Sequence, residues 1–438
     1  MIISKFTKEI KINEEIYAIY NNLFMKVLFV NGQKYDDIKA FRVSNKEKKE
    51  LADCKIYINN PTDDKKMLQK VIEEKNREMG KIKTMYLCVT SNCNLNCSYC
   101  FINNQINKNK KKDMMSTDVG LVAIKKFVNY LNSNGLTGKI VFYGGEPLIN
   151  WQLIKESIEL ANINGYPIIF SIITNGTLLD IKKIKFLKNN NVNIGISIDG
   201  PKQINDKNRI FSSKNHSVYD SVITNINRLK KQQCNFGLSI TLSEEIIANQ
   251  DELLSWIKDL KVPNIAYNLL HFTWSYDKWE KYYENATKFV CKSYLELKNC
   301  SDGTIQNKIN CIINENFKYF GCLALGLKQV VVKPNGDMCI CHGEFRENTS
   351  TFTNINEFDF EKIYSYKETN KWEKIIPLNI PKCLNCEALF SCGGGCYLQS
   401  KTLFKYEKDS AMCIYNKLII KFIIEEIYKL TCLKGGEN

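Results

Sequence analysis

The chain has 438 residues, of which 44% are hydrophobic and 25% are charged. This composition is that of a globular protein, which excludes collagen-like, low-complexity and wholly disordered classes, and the length predicts two or three domains. The 61 basic and 47 acidic side chains give a net charge of +14. The excess is spread along the chain without a basic arm, so the sequence does not favour a nucleic-acid-binding protein.

Cysteine is the informative residue type, because the chain carries 18 of them. The first residues contain no long apolar segment of the kind found in secretory signals, and no apolar run approaches the roughly 20 residues that span a bilayer. We therefore expect a cytoplasmic protein without a membrane partner. In a reducing compartment, many cysteines indicate metal binding or catalysis rather than disulfides.

Residues 1–82 carry a single cysteine and are expected to form a small α+β module of their own. Apolar stretches at 16–20 and 24–30 flank Asn21-Asn22, a pattern that predicts a β-hairpin. The charged stretch 66–81 is predicted to be a helix that leads into the next domain. No chemical motif marks this module, so an accessory cap and a docking module for a peptide both remain open.

Residues 83–305 alternate between strand and helix patterns, which is typical of an α/β fold. Strands are predicted at 84–90, 139–143, 167–173, 193–198, 236–242 and 264–271. Helices are predicted at 121–131, 151–163, 180–188, 217–231 and 245–260. Six such units predict parallel strands with right-handed crossovers, forming a partial (β/α)6 barrel whose ligands lie at the carboxyl ends of the strands.

Three cysteines follow the first predicted barrel strand within eight residues, at Cys93, Cys97 and Cys100. Such a loop can bind three irons of an iron–sulfur cube, whereas an ordinary cluster takes four cysteines. Cys88 lies within the strand, so one iron is left open to an exchangeable ligand. A structural zinc site needs a fourth ligand, and no histidine occurs before His216. Three unrelated buried cysteines are the remaining interpretation.

These residues resemble the signature of the radical S-adenosylmethionine (SAM) enzymes, Cys-x3-Cys-x2-Cys with an aromatic residue, here Tyr99, before the last cysteine. The resemblance implies a 4Fe–4S cluster whose open iron binds the amine and carboxylate of SAM. An electron from the cluster then cleaves SAM to a 5′-deoxyadenosyl radical, which abstracts hydrogen from a substrate. The resemblance also implies that Tyr99 lies against the adenine of SAM. The alternative is that Tyr99 only packs against neighbouring protein side chains.

Further motifs at predicted strand ends match the same family. Gly144-Gly145-Glu146-Pro147 corresponds to the family's Gly-Gly-Glu-Pro motif, which binds the methionyl ammonium of SAM and needs glycines for close approach. Thr174-Asn175-Gly176 follows the third strand, and the resemblance places Asn175 in the SAM site. In related peptide-modifying members, residues matching Ser197 and Arg209 contact the ribose and carboxylate of SAM. A solvated loop charge is the alternative for Arg209.

Residues 306–438 contain an array of cysteines and a predicted hairpin at Pro334-Asn335-Gly336-Asp337. The array resembles SPASM, the seven-cysteine extension of many radical SAM enzymes that modify peptides and proteins. The matching positions are Cys322, Cys341, Cys383, Cys386, Cys392, Cys396 and Cys413.

The SPASM resemblance implies two auxiliary 4Fe–4S clusters. Cys322, Cys341 and Cys396 would hold one, and the other four cysteines the second. Seven ligands leave one iron open unless an eighth joins them, and Cys311 and Cys339 are the candidates. A zinc ribbon built on Cys383, Cys386, Cys392 and Cys396 is the alternative. The cysteines interpreted as ordinary buried residues are Cys54, Cys234, Cys291, Cys300 and Cys432.

The residues around the SPASM and barrel motifs bear on two activities known for SPASM enzymes. In anaerobic sulfatase-maturating enzymes, which make formylglycine, the second SPASM cysteine is followed by a catalytic aspartate, and this chain has His342 there. The motifs at 143–150 and 197–209 instead resemble those of enzymes that mature Cys-rich peptides. The sequence therefore predicts a radical SAM oxidoreductase that forms a thioether crosslink in a ribosomally made precursor peptide.

Formylglycine formation and carbon–carbon crosslinking are the alternative activities. The expected partners are the precursor peptide and an external electron donor of the flavodoxin or ferredoxin type. An electron carrier without catalysis is a further alternative from a different class. It does not account for the Gly-Gly-Glu-Pro motif or for a cluster that lacks a fourth protein ligand.

Overall fold

The computed structural model describes residues 1–100, 113–213, 216–270, 276–298, 300–314, 318–345, 350–398 and 411–435. The first elements form a small α+β module. Its strands are β1 (Ile2–Ile3), β2 (Thr7–Lys11), β3 (Ile16–Asn21), β4 (Val27–Asn31) and β5 (Tyr57–Ile58). Its helices are α1 (Gly32–Lys39), α2 (Asn45–Asp53) and α3 (Pro61–Glu78). Strands β2, β3 and β4 form an antiparallel sheet, and β1 pairs with β5.

The predicted hairpin of the module is present, but its second strand begins at Val27 rather than at residue 24. The amides of Phe24 and Met25 both donate to the carbonyl of Asn21, and Met25 has a φ of 53°, so these residues extend the turn. Helices α1 and α2 were not predicted. Ser44 nevertheless caps α2 with a capping box, a signal that was present in the sequence.

The centre of the molecule is a ten-stranded sheet. Its parallel part contains β6 (Thr84–Thr90), β7 (Gly138–Gly144), β8 (Ile168–Thr174), β9 (Asn193–Ser197), β10 (Phe236–Leu242) and β11 (Asn264–Leu269). The helices between them are α4 (Thr117–Ser133), α5 (Trp151–Ile163), α6 (Ile181–Asn189), α7 (Lys202–Asn208), α8 (Val218–Lys231), α9 (Glu244–Ala248) and α10 (Gln250–Leu260). The six strands lie side by side in chain order and are all parallel, so the predicted partial α/β barrel is confirmed.

The two faces of the barrel sheet differ. On β6, Leu87 packs into the main core, which also contains Phe127 from α4. The neighbouring Cys88 belongs to a separate small cluster with Val331 and Phe345 from the C-terminal region. Because side chains alternate along a strand, the second cluster marks the inner face of the barrel.

The C-terminal region extends the same sheet. It contains α11 (Tyr276–Glu296), β12 (Ser301–Asp302), α12 (Ile305–Ile313), β13 (Gln329–Val332), β14 (Asp337–Cys339), β15 (Thr353–Asn354), α13 (Asn370–Glu373), α14 (Pro381–Leu384), α15 (Leu389–Cys392) and α16 (Ala411–Gly435). Strand β13 is parallel to β6, while β14 and β15 follow as antiparallel neighbours. The predicted hairpin turn is present, with Gly336 at a φ of 85°.

One continuous hydrophobic cluster joins all three regions, since it contains Tyr20 of the module, Phe142 of the barrel and Ile424 of α16. Among the described residues, no helix is both long enough and apolar enough to cross a lipid bilayer.

The predicted helix at 245–260 is in fact two helices, because the backbone of Asn249 leaves helical geometry between them.

Four cysteines interpreted as buried packing residues can be placed. Cys54 is buried, as expected. Cys234, Cys291 and Cys300 are only half buried, which corrects that interpretation. Cys234 and Cys300 lie in turns that lead into strands, where the chain passes over the surface. The side chain of Cys432 lies outside the described residues.

Candidate active site

The cysteine loop after β6 lies at the carboxyl end of the barrel, beside residues 208–212, which follow α7. The amide of Asn96 donates to the carbonyl of Ile210 (2.7 Å), and the amide of Ser98 donates to the carbonyl of Asn208 (2.9 Å). The backbone of the loop is therefore fixed by the protein itself. The thiols that it presents are those of Cys93, Cys97 and Cys100.

These three thiols are half buried and close enough for their charges to interact. Burial raises the pKa of Cys93 to about 11. Burial also raises the pKa of Cys97 to about 12, and the positive charge of Arg209 opposes that rise. Cys88 is completely buried, which holds its pKa well above the usual range. Cys88 lies within β6 rather than in the loop, so the loop itself offers three thiols.

The predicted glycine motif lies directly against the backbone of the cysteine loop. A Cβ on Gly144 would lie 2.1 Å from the carbonyl oxygen of Thr90, and one on Gly145 would lie 2.2 Å from that of Asn92. The amides of Gly145 and Glu146 donate to these same oxygens, at 2.9 and 2.7 Å. The glycines therefore allow two loops at the barrel mouth to approach each other, a role that the sequence analysis did not include.

Glu146 has no exposed surface and joins the ends of two strands. Its Oε1 accepts from the amide of Leu148 (3.0 Å) and the hydroxyl of Thr174 (2.6 Å), and its Oε2 accepts from the amide of Asn175 (2.7 Å). Burial raises the pKa of Glu146 to about 7. A carboxylate has about four acceptor positions, so one remains for a further donor such as an ammonium group.

Asn175 connects the third strand to the cysteine loop. Its Nδ2 donates to Oδ1 of Asn94 (2.9 Å) and lies 3.9 Å from the Cys93 sulfur. Asn94 in turn donates to the hydroxyl of Thr177 (2.8 Å). The predicted SAM-site residue Asn175 is thus placed beside a predicted iron ligand.

Arg209 is buried and paired with Asp199, so the solvated-charge alternative for this arginine is wrong. Nε and Nη2 of Arg209 donate to the two carboxylate oxygens of Asp199, at 2.9 and 3.1 Å. The hydroxyl of Tyr99 also donates to Asp199, and the Arg209 guanidinium lies 5.6 Å from the Tyr99 ring centre. The amide of Thr241 donates to the same carboxylate.

Asp199 was not singled out from the sequence, although it lies in the motif that ends the fourth strand. The signal was available, because a buried arginine requires an acidic partner. Ser197 lies two residues earlier, half buried at the end of β9 and opposite Ser239 on β10. The predicted SAM residues therefore gather at the carboxyl ends of β7, β8 and β9.

Five of the seven predicted C-terminal ligands fall into two neighbourhoods. Burial holds the pKa of Cys341 well above the usual range, and the nearby thiols of Cys396 and Cys322 raise it further. Burial raises the pKa of Cys386 to about 12, with a smaller contribution from Cys392. The remaining two predicted ligands lie on helices, Cys383 on α14 and Cys413 on α16.

The two candidates for an eighth ligand differ in their surroundings. Cys339 is completely buried beside Cys88 on the inner face of the barrel, whereas Cys311 is half buried on α12. Across the described part of the chain, no three His, Cys, Asp or Glu side chains are gathered to hold a single metal ion.

His342, which follows Cys341, forms part of an aromatic wall inside the barrel. Its ring stacks on Tyr86 with centroids 4.7 Å apart and meets Tyr143 edge-on at 5.3 Å. Burial raises the pKa of Tyr86 to about 12, so its hydroxyl stays protonated at neutral pH. Tyr143 in this wall lies near both Cys100 of the cysteine loop and Cys341 of the C-terminal region.

The N-terminal module contacts the C-terminal cysteines directly. Asn22 is completely buried, and its Nδ2 donates to the carbonyls of Leu384 (3.1 Å) and Cys386 (2.8 Å). The hydroxyl of Tyr20 donates to the carbonyl of Glu387 (3.0 Å). The loop that carries Cys386 is therefore held by residues from the opposite end of the sequence.

Comparison with known proteins agrees with this geometry. Residues 87–274 match the Radical SAM superfamily. The radical SAM cyclopropyl synthase TigE of Paramaledivibacter caminithermalis is 27% identical over 94% of this chain and 84% of its own length. A cysteine-type anaerobic sulfatase-maturating enzyme of Clostridium perfringens is 25% identical over 70% of this chain and 86% of its own length.

A solved structure shares the fold over most of the chain. SuiB of Streptococcus suis, bound to its precursor peptide SuiA, superposes with a TM-score of 0.53 at 14% identity. The match covers 93% of this chain and 97% of SuiB. The partial barrel, the placement of its motifs and these matches agree with one another.

Residues 87–274 are a radical SAM domain, and the chain is an enzyme. The cofactors of this superfamily, a 4Fe–4S cluster and SAM, fit the residues present. The loop offers three thiols, and Glu146 keeps an acceptor position free beside them.

Proposed function

We propose that this enzyme is a peptide maturase that abstracts hydrogen from a ribosomally made precursor peptide and forms a thioether crosslink in it. When bound, the cluster and SAM supply a 5′-deoxyadenosyl radical. Forming the thioether replaces one C–H and one S–H bond by a C–S bond. One hydrogen atom would leave with the radical, the proton would pass to a base, and an auxiliary iron–sulfur cluster, if bound, would supply the acceptor for the electron.

A single observation supports the assignment as a peptide maturase: TigE and SuiB match 94% and 93% of the chain. These two matches include the N-terminal module, whereas the sulfatase-maturating enzyme matches only 70% of the chain. The choice of a thioether depends on the resemblance of the motifs at 143–150 and 197–209 to those of Cys-rich-peptide maturases. SuiB is described with a precursor peptide. We infer that residues 1–82 dock the peptide, that residues 83–305 bind SAM, and that residues 306–438 form a SPASM domain.

Within the barrel, each predicted residue has a defined task in this proposal. Cys93, Cys97 and Cys100 hold the SAM cluster. Glu146 accepts the methionyl ammonium at its remaining acceptor position, next to the close-packed backbone of the glycine motif. Arg209 keeps three N–H donors beyond those bound to Asp199, which suit a carboxylate.

The other predicted SAM contacts and the predicted auxiliary-cluster ligands also have roles in this proposal. Ser197 and Asn175 line the SAM site, and Tyr99 shapes its wall through Asp199. The C-terminal cysteines would hold two auxiliary clusters, which would supply an acceptor for the electron released on crosslinking. An external donor of the flavodoxin or ferredoxin type reduces the SAM cluster.

A second candidate is the formation of a carbon–carbon bond, because TigE is named a cyclopropyl synthase and matches 94% of the chain. Formylglycine formation is a weaker candidate. His342 occupies the position of the aspartate that this reaction uses, and it stacks on Tyr86 inside the barrel.

The first experiment tests the cofactor assignment. Reconstituted protein with dithionite is expected to cleave SAM to 5′-deoxyadenosine. The triple variant Cys93→Ala, Cys97→Ala and Cys100→Ala should lose this cleavage and about four of roughly twelve irons per chain. Cleavage that persists in the triple variant would overturn the assignment.

The second experiment identifies the bond. The enzyme is coexpressed with a short Cys-containing peptide encoded beside it, and the peptide is analysed by mass spectrometry before and after thiol alkylation. A thioether removes two hydrogens and one alkylatable thiol for each crosslink. Loss of two hydrogens with every thiol retained indicates a carbon–carbon bond, and a product that reacts with an aminooxy probe indicates formylglycine. An unchanged peptide contradicts the proposal for that peptide.

A further inference from the structure

A groove outside the SAM site opens beside the last two parallel strands of the barrel. It has a volume of about 530 Å³ and lies between α9 and the first half of α11. Its lining includes Lys278, Lys281 and Lys288 together with Ile247 and Tyr282. The volume is within the range of sites that bind small ligands or peptide side chains.

The three lysines are spaced three and seven residues apart, so α11 presents them on one face. All three are exposed, and none has a carboxylate oxygen within 4 Å among the described residues. The neighbouring Lys292 on the same helix contrasts with them, because it binds both Asp251 and Glu296. The groove therefore carries positive charge that no described partner neutralises, apart from one exposed acid at its edge, Glu244.

The floor of the groove is apolar and rigid. Ile247 and Tyr282 are buried there. The Tyr282 hydroxyl donates to the carbonyl of Leu242 (2.7 Å) and accepts from the amide of Leu270 (2.8 Å). These two residues end β10 and follow β11, so the floor is fixed to the carboxyl ends of both strands, where ligands of α/β barrels bind.

We propose that this groove binds an acidic, amphipathic segment of the peptide substrate, an inference that rests on the proposed function. Apolar side chains of the peptide would pack against the exposed Ala248 and the aliphatic stems of the lysines, and its carboxylates would pair with the lysine ammonium groups. An acidic electron donor is less well matched. In the sheet, β10 and β11 lie four and five strands away from β6, which leads into the cysteine loop.

The test compares two charge-reversal variants of the full-length enzyme. The first is Lys278→Glu with Lys281→Glu and Lys288→Glu. The matched control reverses three exposed lysines on α6, which are Lys182, Lys185 and Lys188. Binding is measured by fluorescence anisotropy with a labelled amphipathic peptide of leucine and glutamate, and with its glutamine counterpart. Circular dichroism and the unfolding temperature show whether both variants are folded.

We expect the groove variant to bind the glutamate peptide about tenfold more weakly, while the control binds like the unmodified enzyme. Binding should weaken with salt, and the glutamine peptide should bind weakly to all three proteins. Equal losses in both variants, or no loss in the groove variant, would overturn the proposal. The proposal would also be overturned if the groove variant bound the peptide normally and were impaired only in its reduction by flavodoxin. Because the assay needs no turnover, it is independent of whether the SAM-cleavage experiment succeeds.

Discussion

Asp199 and Arg209 form a two-pronged ion pair beside the cysteine loop, with both side chains almost completely buried. The pair also receives the hydroxyl of Tyr99, the residue directly before Cys100. Asp199 thereby fixes the direction of the free N–H groups of Arg209. In the proposed SAM site, this makes Asp199 a positioning residue.

Removing one partner of this pair is expected to be much worse than removing both. Asp199→Leu or Arg209→Met alone should each cost about 3 kcal/mol of unfolding free energy, because each leaves a buried charge unpaired. The double variant should recover most of that stability. It should still bind SAM poorly, since the guanidinium is gone. Chemical denaturation and equilibrium dialysis with labelled SAM measure the two effects, and single variants as stable as the unmodified protein would contradict the prediction.

Gly145→Ala is expected to disrupt the site through backbone displacement. The new Cβ would lie 2.2 Å from the Asn92 carbonyl oxygen, so the loop before Cys93 must move. SAM affinity should fall about tenfold or more, as expected for the loss of about 1.4 kcal/mol. Gly165→Ala is the matched control. Gly165 has a φ of 60° with nothing within 4 Å of the added atom, so only about 1–2 kcal/mol of backbone strain is expected, with SAM affinity unchanged.

Asn22→Ala should weaken the C-terminal cluster site although residue 22 lies far from it in sequence. The variant removes both hydrogen bonds to the loop of Cys386, at a cost of about 2 kcal/mol. The carbonyl of Leu384 loses this donor, and that of Cys386 keeps only the amide of Leu389 (3.3 Å). We expect less iron and sulfide per chain and a changed auxiliary-cluster signal in electron paramagnetic resonance. Asn164→Ala, which removes an exposed helix-end contact, serves as the control. Equal iron content in both variants would contradict the role of Asn22.

Lys75 should give a pH-dependent difference in stability. Its side chain is 3% exposed on α3, and burial lowers its pKa from 10.5. The charged form is therefore disfavoured in the folded state, and Lys75→Met should raise the unfolding temperature at neutral pH. The difference in unfolding temperature between Lys75→Met and the unmodified protein should be largest below the pKa of Lys75 in the folded state. It should disappear as the pH rises through that pKa towards 10.5, the ordinary value. A gap that does not change with pH would show that packing, not charge, causes the difference.

The repeating part of the fold was predictable because its signals are local. Strands 84–90 and 236–242 and helix 151–163 were placed to the residue. In each case, apolar side chains follow the period of the element and turn residues mark its ends. The α1 and α2 helices were missed, since they are short and polar and only their caps distinguish them from loops.

The site was predictable in its residue types but not in its internal contacts. The spacing of Cys93, Cys97 and Cys100 is a property of one loop. The ion pair of Asp199 with Arg209 depends on how the loop after β9 folds back, and the bond from Asn22 to Cys386 joins residues 364 positions apart. Such contacts are determined by tertiary packing, which a local pattern does not specify.

The pairing of β13 with β6 has a consequence for any shortened form of this enzyme. A chain that ends before Gln329 would expose the backbone N–H and C=O groups along one side of β6. Unpaired strand edges of this kind recruit other chains, so a minimal catalytic fragment would tend to aggregate rather than fold. The C-terminal region therefore also covers the free edge of the barrel sheet, and any shortened protein made for study must retain it.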